Sequence, residues 1–297
     1  MSTTNSAKIT FFYLLSLFGL IFAAISSGMI LFQVINKLIP DALNYSGRFS
    51  AEALRFAISA VIVATPVYYW MTSLIQKSLK KGELDKDSQL RKWMTYIIIF
   101  VSAVVIIVSL IGIINNYLSG DLTSKIVLKV LTTIIISGIV LSYYLYNIKR
   151  INFEKNTILK IYFWSSLALV IIILISGFLV ADSPAQVRKI KHDTNIVNDL
   201  NSIRNGIEEY TRINEELPEK LENLSSDMLY YYRTETDISD YEYKVLNDKE
   251  YEICAEFEIN SEDIEDLYIN QKEWPHEIGK KCFQRKISLV DIEKSRQ

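Results

Sequence analysis

The feature that most restricts this chain is a series of five apolar stretches, residues 9–35, 53–74, 93–114, 126–146 and 158–181. Each can cross a hydrocarbon core about 30 Å thick, which takes roughly 20 helical residues. Inside such a core every backbone N–H and C=O must be satisfied within the protein, which leaves helices and closed barrels. Barrel strands alternate polar and apolar residues, whereas residues 96–107 are almost continuously apolar, so these stretches read as helices. Half of the 297 residues are hydrophobic and the mean hydropathy is +0.17, which argues against a wholly soluble chain. A cleaved signal peptide would use Lys8 and the small residues between Ala23 and Gly28, but the apolar run continues well past that point. The expected fold is an all-α membrane bundle of five transmembrane helices over residues 1–181. A small acidic α+β extracytoplasmic domain follows over residues 182–297, a long helix on a short antiparallel sheet.

The formal charge of −2 conceals two opposed halves: 16 basic against 7 acidic residues up to Ala181, and 16 against 27 after it. Cations are retained on the cytoplasmic side of a membrane. The segment between the second and third helices holds Lys77, Lys80, Lys81, Lys86, Arg91 and Lys92, and that between the fourth and fifth holds Lys149, Arg150, Lys155 and Lys160. The other connections are poorer, with Lys37, Arg48 and Arg55 near one and Lys125 and Lys129 near the other. Five crossings then place the N-terminus inside and the acidic tail outside a prokaryotic plasma membrane. Tyr and Trp favour the interface, where ring and polar tip each find a suitable solvent. Tyr68, Tyr69, Trp70, Trp93, Tyr96, Tyr143, Tyr144, Tyr146, Tyr162 and Trp164 fall at the helix ends that the charges assign to the cytoplasm. Anchoring is the simpler meaning of this belt, an aromatic substrate cage the sharper one.

Within the helices nothing marks a proton or ion relay, because ionisable groups are absent near mid-membrane and Arg55 and Lys129 sit where they can snorkel. Both histidines, His192 and His276, lie beyond the last span, which excludes histidine-ligated haem in the bundle on this topology. Pro66, Gly112, Gly138 and Gly177 read as packing features, the glycines marking close approaches. Gly19, Ala23 and Ser27 recur every four residues and offer a small-residue face for helix contact.

After Ala181, Ser183 and Pro184 supply an N-cap and a first-turn proline for a new helix. Val187, Ile190, Val197, Leu200, Ile203, Ile207 and Tyr210 form one apolar stripe that needs covering. Leu217, Leu221 and Leu224 surround a break at Pro218. Strand-like alternation over residues 241–246 and 251–258 flanks a turn at Asn247, Asp248 and Lys249, and a further strand is expected over 281–287. Cys254 and Cys282 fall on two of these strands, and a disulfide between them would add roughly 3 kcal/mol in an oxidising compartment. Their spacing is not a Cys-x-x-Cys redox motif, and with His276 they make only three potential metal ligands, so no metal is expected. Glu256, Glu258, Glu262, Asp263, Glu265 and Asp266 lack the spacing of a calcium loop and read as a solvated acidic face. This polar half has no basic excess to bind nucleic acid.

The order Ile39-Pro-Asp-Ala-Leu-Asn-Tyr-Ser46, Pro66-Val-Tyr68, Trp93-Met-Thr-Tyr96 and Leu118-Ser-Gly-Asp-Leu-Thr123, then Leu128-Lys129-Val130, resembles an uncharacterised prokaryotic multi-spanning membrane family, domain of unknown function 5671. The resemblance covers roughly residues 8–150 and implies an integral membrane protein with no activity to transfer. The family pattern often has an acidic residue where this chain has Ser109. More weakly, Asn198-Asp-Leu-Asn-Ser-Ile203, Tyr210 and Leu217-Pro218 are similar to the helix and helix exit of type IV pilin and pseudopilin domains, which implies a helix-on-sheet shape for the tail. No catalytic residue and no cofactor are expected. The leading functional expectation is a non-enzymatic membrane-anchored module whose partners are the lipid bilayer and a membrane or envelope protein. A small-solute transporter or channel subunit is the alternative, and an envelope enzyme ranks behind both because no nucleophile and base can be paired.

Overall fold

The computed structural model describes residues 3–39, 48–80, 89–149, 157–224, 240–263 and 273–287. The Ile39–Ser46 motif beyond its first residue, Lys81, Lys86, Arg150, Lys155, Glu265 and Asp266 lie outside them. Two compact units result, Met1–Ala181 and Asp182–Gln297.

The first unit is a bundle of α1 (Thr3–Leu38), α2 (Ala51–Lys80), α3 (Gln89–Leu118), α4 (Ser124–Lys149) and α5 (Thr157–Val180), all long and apolar enough to cross a membrane. α1 packs on α2, α4 and α5, while α3 pairs mainly with α4. Phe18, Phe56, Phe100 and Leu179 point outward, as lipid-facing side chains do. The connection from α3 to α4 shows what the Leu118–Thr123 sequence encodes. Gly120 takes a left-handed φ of 76°, so its N–H reaches Tyr117 O and that of Asp121 reaches Asn116 O, the paired bonds of a Schellman helix end. Thr123 then caps α4 by accepting the Ile126 N–H.

In the second unit α6 (Pro184–Asn214) starts as expected, with the Ser183 hydroxyl accepting the Gln186 N–H and proline in the first turn. β1 (Glu242–Asn247), β2 (Glu250–Phe257) and β3 (Gly279–Lys286) form an antiparallel sheet in the order β1-β2-β3. Tyr251, Ile253, Ala255 and Phe257 alternate onto one face of β2 and share a core with Ile196, Val197, Leu200, Ile203 and Ile207 of α6. Leu217, Leu221 and Leu224 complete it. Val187 and Ile190 are only partly covered, and Ile196 takes the place on the stripe that the sequence reading left out. Trp274 is fully buried, donating its indole N–H to Asn201 at 2.9 Å and lying under the Arg285 guanidinium.

Cys254 and Cys282 stand directly opposite in the β2–β3 register and are joined as a disulfide, with Cα atoms 4.0 Å apart. That separation is below the range of about 4.4–6.8 Å usual for a bridge. The apolar stripe of α6 is buried as expected, and two charged residues are buried with it. Asp193 is wholly buried and accepts the N–H groups of Glu258 at 3.0 Å and Ile259 at 2.9 Å, tying α6 to the exit of β2. Asp199, also buried, accepts the Tyr241 hydroxyl at 2.8 Å. Burial raises Tyr251 and pushes Tyr243 up to about 12, so both remain neutral phenols in ordinary conditions.

Asp193→Ala removes the acceptor of two partly buried backbone N–H groups and should lower tail stability by about 1–3 kcal/mol in the full chain, read as earlier proteolytic opening beyond Ala181. Unchanged protection would contradict the tie. Cys282→Ser should cost roughly 3–4 kcal/mol in the same assay while leaving the bundle inserted. In protein purified without reductant, a peptide joining both cysteines should be found by mass spectrometry.

Candidate functional site

α1, α2, α4 and α5 line a half-open cavity of about 380 Å3. Its inner part is apolar, walled by Leu20, Ala24, Ile136, Val140, Leu169 and Val170. Gln76, Leu159 and Lys160 border it at the helix ends. Past the inner part the bundle is solid: Ile30, Leu54, Ala57, Ile58, Val61 and Ile173 form a packed cluster. Gly177 permits that closure, since a Cβ there would meet Ile30 Cγ2 at 2.9 Å and Ile58 at 3.4 Å.

Tyr68, Tyr69, Tyr143, Tyr144 and Tyr162 also line the space. Tyr69 lies edge-on to Phe163 with ring centroids 4.8 Å apart, and Tyr143 meets Tyr144 and Tyr162 at 5.0 and 5.6 Å. Tyr69 Oη and Ser166 Oγ are 2.7 Å apart. Because the serine hydroxyl is given to Phe163 O, Tyr69 is the donor in this pair. Tyr68 and Tyr144 are paired through their hydroxyls. The aromatic set read from the sequence as one belt thus divides in two. Trp70, Trp93, Tyr96 and Trp164 are 58–69% exposed on the outside of the bundle, Tyr68, Tyr69, Tyr143, Tyr144 and Tyr162 line the cavity, and Tyr146, in neither group, is half-buried with its ring 6.2 Å from that of Tyr162.

The small-residue face of α1 also serves two ends. At Gly19 α1 touches the backbone of α2, where a Cβ would stand 3.1 Å from Tyr68 N, whereas Ala23 and Ser27 border the cavity. Expectations for two other glycines are corrected: nothing lies within 4 Å of a Cβ built on Gly112 or Gly138, so neither marks a close approach.

One cavity residue departs from its surroundings. Thr65, at the middle of α2, is 7% exposed, and its Oγ1 is buried with no hydrogen-bond partner among the described residues. A helical threonine ordinarily gives its hydroxyl to the carbonyl one turn back, as Thr132 does to Leu128 and Thr133 to Lys129. Thr65 was not singled out from sequence, and no local pattern distinguishes it from those residues.

Several other polar groups have structural partners, although His276 Nε2 is a buried atom without one among the described residues. Arg91, counted above among loop cations, is buried in the bundle and donates to Asn147 O at 3.0 Å, a cation on the last turn of α4. Ser109 bonds Val105 O and shares a shallow hollow with Asn116 and Lys129, whose ammonium lies 5.8 Å from the Phe32 ring centre. In the tail, His276 is stacked on Phe257 at 3.7 Å, with Nδ1 donating to Trp274 O. Glu252, Cys254 and Cys282 cluster closely enough to hold a metal, but both sulfurs are spent in the disulfide.

Residues 10–144 match the family described as Domain of unknown function (DUF5671), which covers α1 to α3 and most of α4. No curated protein and no solved structure matches the chain.

Gly19→Val should push α1 from α2 at Tyr68 and lower the bundle's thermal stability by about 1–3 kcal/mol, the usual range for overpacking. Gly112→Ala, entering open space, should leave the melting temperature unchanged or raise it slightly. Equal effects would show that the Gly19 contact is not what holds the helices together.

Proposed function

We propose that the chain is a non-enzymatic membrane-anchored binding module whose bundle takes a small apolar molecule from the bilayer into the cavity between α1, α2, α4 and α5. The single observation that carries this is a walled space of about 380 Å3, within the range of small-molecule sites, with apolar walls and a few hydroxyls. The packed Ile30–Ile58–Ile173 cluster beyond the inner part favours binding over passage and sets the reading above a channel or transporter subunit. The N-terminus lies inside a prokaryotic plasma membrane and the acidic tail outside it, where an envelope partner can be engaged. Support comes from the cations near the α2–α3 and α4–α5 connections and from a disulfide that suits an oxidising compartment.

Two measurements test the parts of this reading. Naphthalene should bind the purified full chain saturably, and Ala24→Phe, which fills the cavity, should abolish the saturable component. Unsaturable partitioning equal in both proteins would reject the site. For orientation, Lys77→Cys should resist an impermeant thiol reagent in intact cells and Glu219→Cys should react. The opposite labelling would overturn the topology.

A further inference from the structure

We infer that the space between α1, α2, α4 and α5 holds a single-chain anionic amphiphile of the long-chain fatty acid class, its hydrocarbon laid along α5 and its carboxylate at Lys160. The inference rests on the binding role proposed above and names the class of molecule bound. On α5 the lining runs from Lys160 to Ile173, about 20 Å at the helical rise. α2 runs antiparallel beside it, since Tyr69 meets Phe163 and Ser166 whereas Ile58 lies near Gly177. Gln76 therefore stands at the Lys160 end. One leaflet of a hydrocarbon core about 30 Å thick is about 15 Å deep, so the lining is long enough for a lipid chain that reaches the middle of the bilayer. A volume of about 380 Å3 drawn out over that length is narrow, with room for one chain abreast.

The two ends of the space differ as the two ends of such a molecule do. Leu20, Ala24, Ile136, Val140, Leu169 and Val170 give it apolar walls. Of the hydroxyls along them, Tyr69 and Ser166 are bonded to each other at 2.7 Å and Tyr68 is paired with Tyr144, so a hydrocarbon chain passing there leaves these bonds intact. At Ile173 the chain meets the packed cluster of Ile30 and Ile58 and must end. The charge stands at the other end. Lys160 is the one ionisable group bordering the space besides tyrosine among the described residues, it is exposed, and no carboxylate lines the space with it. A lysine can rest its stem on apolar surface and hold its ammonium in the water, where it attracts an anionic head and repels a cationic one. One chain's width and one cation match one chain with one charge, whereas a two-chain lipid would leave half of its hydrocarbon outside.

The test uses the full chain in phosphatidylcholine nanodiscs at about pH 9, far above the ordinary carboxyl pKa. It follows displacement of labelled naphthalene by competitors counted as mole fraction in the bilayer, so that partitioning cancels. Palmitate should displace naphthalene at about fivefold lower mole fraction than hexadecanol, the worth of one lysine against one anion at a membrane surface. Lys160→Gln should erase that advantage and leave hexadecanol unchanged. Hexadecyltrimethylammonium should compete less well than hexadecanol. If palmitate and hexadecanol displace equally and Lys160→Gln changes neither, the anionic head is refuted. Dipalmitoylphosphatidylglycerol competing as well as palmitate would overturn the assignment to a single chain. If naphthalene binds saturably but neither palmitate nor hexadecanol displaces it, the inference is refuted and the binding role stands. If naphthalene does not bind saturably to the wild type, the binding role fails and the inference falls with it.

Discussion

A hydrocarbon core supplies no water, so each polar group carried into it has to be satisfied by the chain itself. This constraint selects helices for the backbone and then governs the side chains. Ser59 gives its hydroxyl to Arg55 O, Ser109 to Val105 O and Thr132 to Leu128 O, each one turn back. Ser142 and Ser176 reach the carbonyl three residues back. Arg91 ends on a carbonyl of α4. Among the described residues a few buried atoms of the bundle, Thr65 Oγ1, Tyr13 Oη and Asn147 Oδ1, stand outside this accounting.

The aromatic residues show how far sequence patterning reaches in a membrane helix. Their number and their place near the helix ends were legible, and so was the interfacial role of Trp70, Trp93, Tyr96 and Trp164. Successive residues on a helix are turned by roughly 100°, so Tyr68, Tyr69 and Trp70 cannot all face lipid. That argument already divides the set. It does not say which members turn inward, because the few polar neighbours, such as Thr95, Ser142 and Ser165, do not make a continuous polar face to orient the helices. The division is settled by partners distant in sequence, Ser166 and Phe163 on α5 and Tyr143 on α4. Cavities of this kind are read from packing, and packing is what hydropathy averages away.

In the tail the same limit appears with charges. The N-cap at Ser183, the three strands and the pairing of the cysteines follow from local chemistry, and local chemistry is visible in a sequence. Asp193 and Asp199 look like surface residues by composition. Asp193 nonetheless stands three and four residues before Ile196 and Val197, hence on the buried stripe. A carboxylate there demands donors, and these come from Glu258 and Ile259, some 65 residues on. Helix periodicity alone therefore identifies the burial, while the partner requires the fold. A charged residue on the apolar face of a helix is better read as a tie to another element than as an error in the stripe.

The match to a known family bears on the site through what it leaves out. It ends at residue 144, so it includes the α1, α2 and α4 walls and omits α5. α5 contributes Phe163 and Ser166, which position Tyr69, and Leu169 and Val170, which close the apolar part. The matched segment therefore carries Thr65 and most of the tyrosines, and the following helix adds Tyr162, Phe163, Leu169 and Val170 to the same lining.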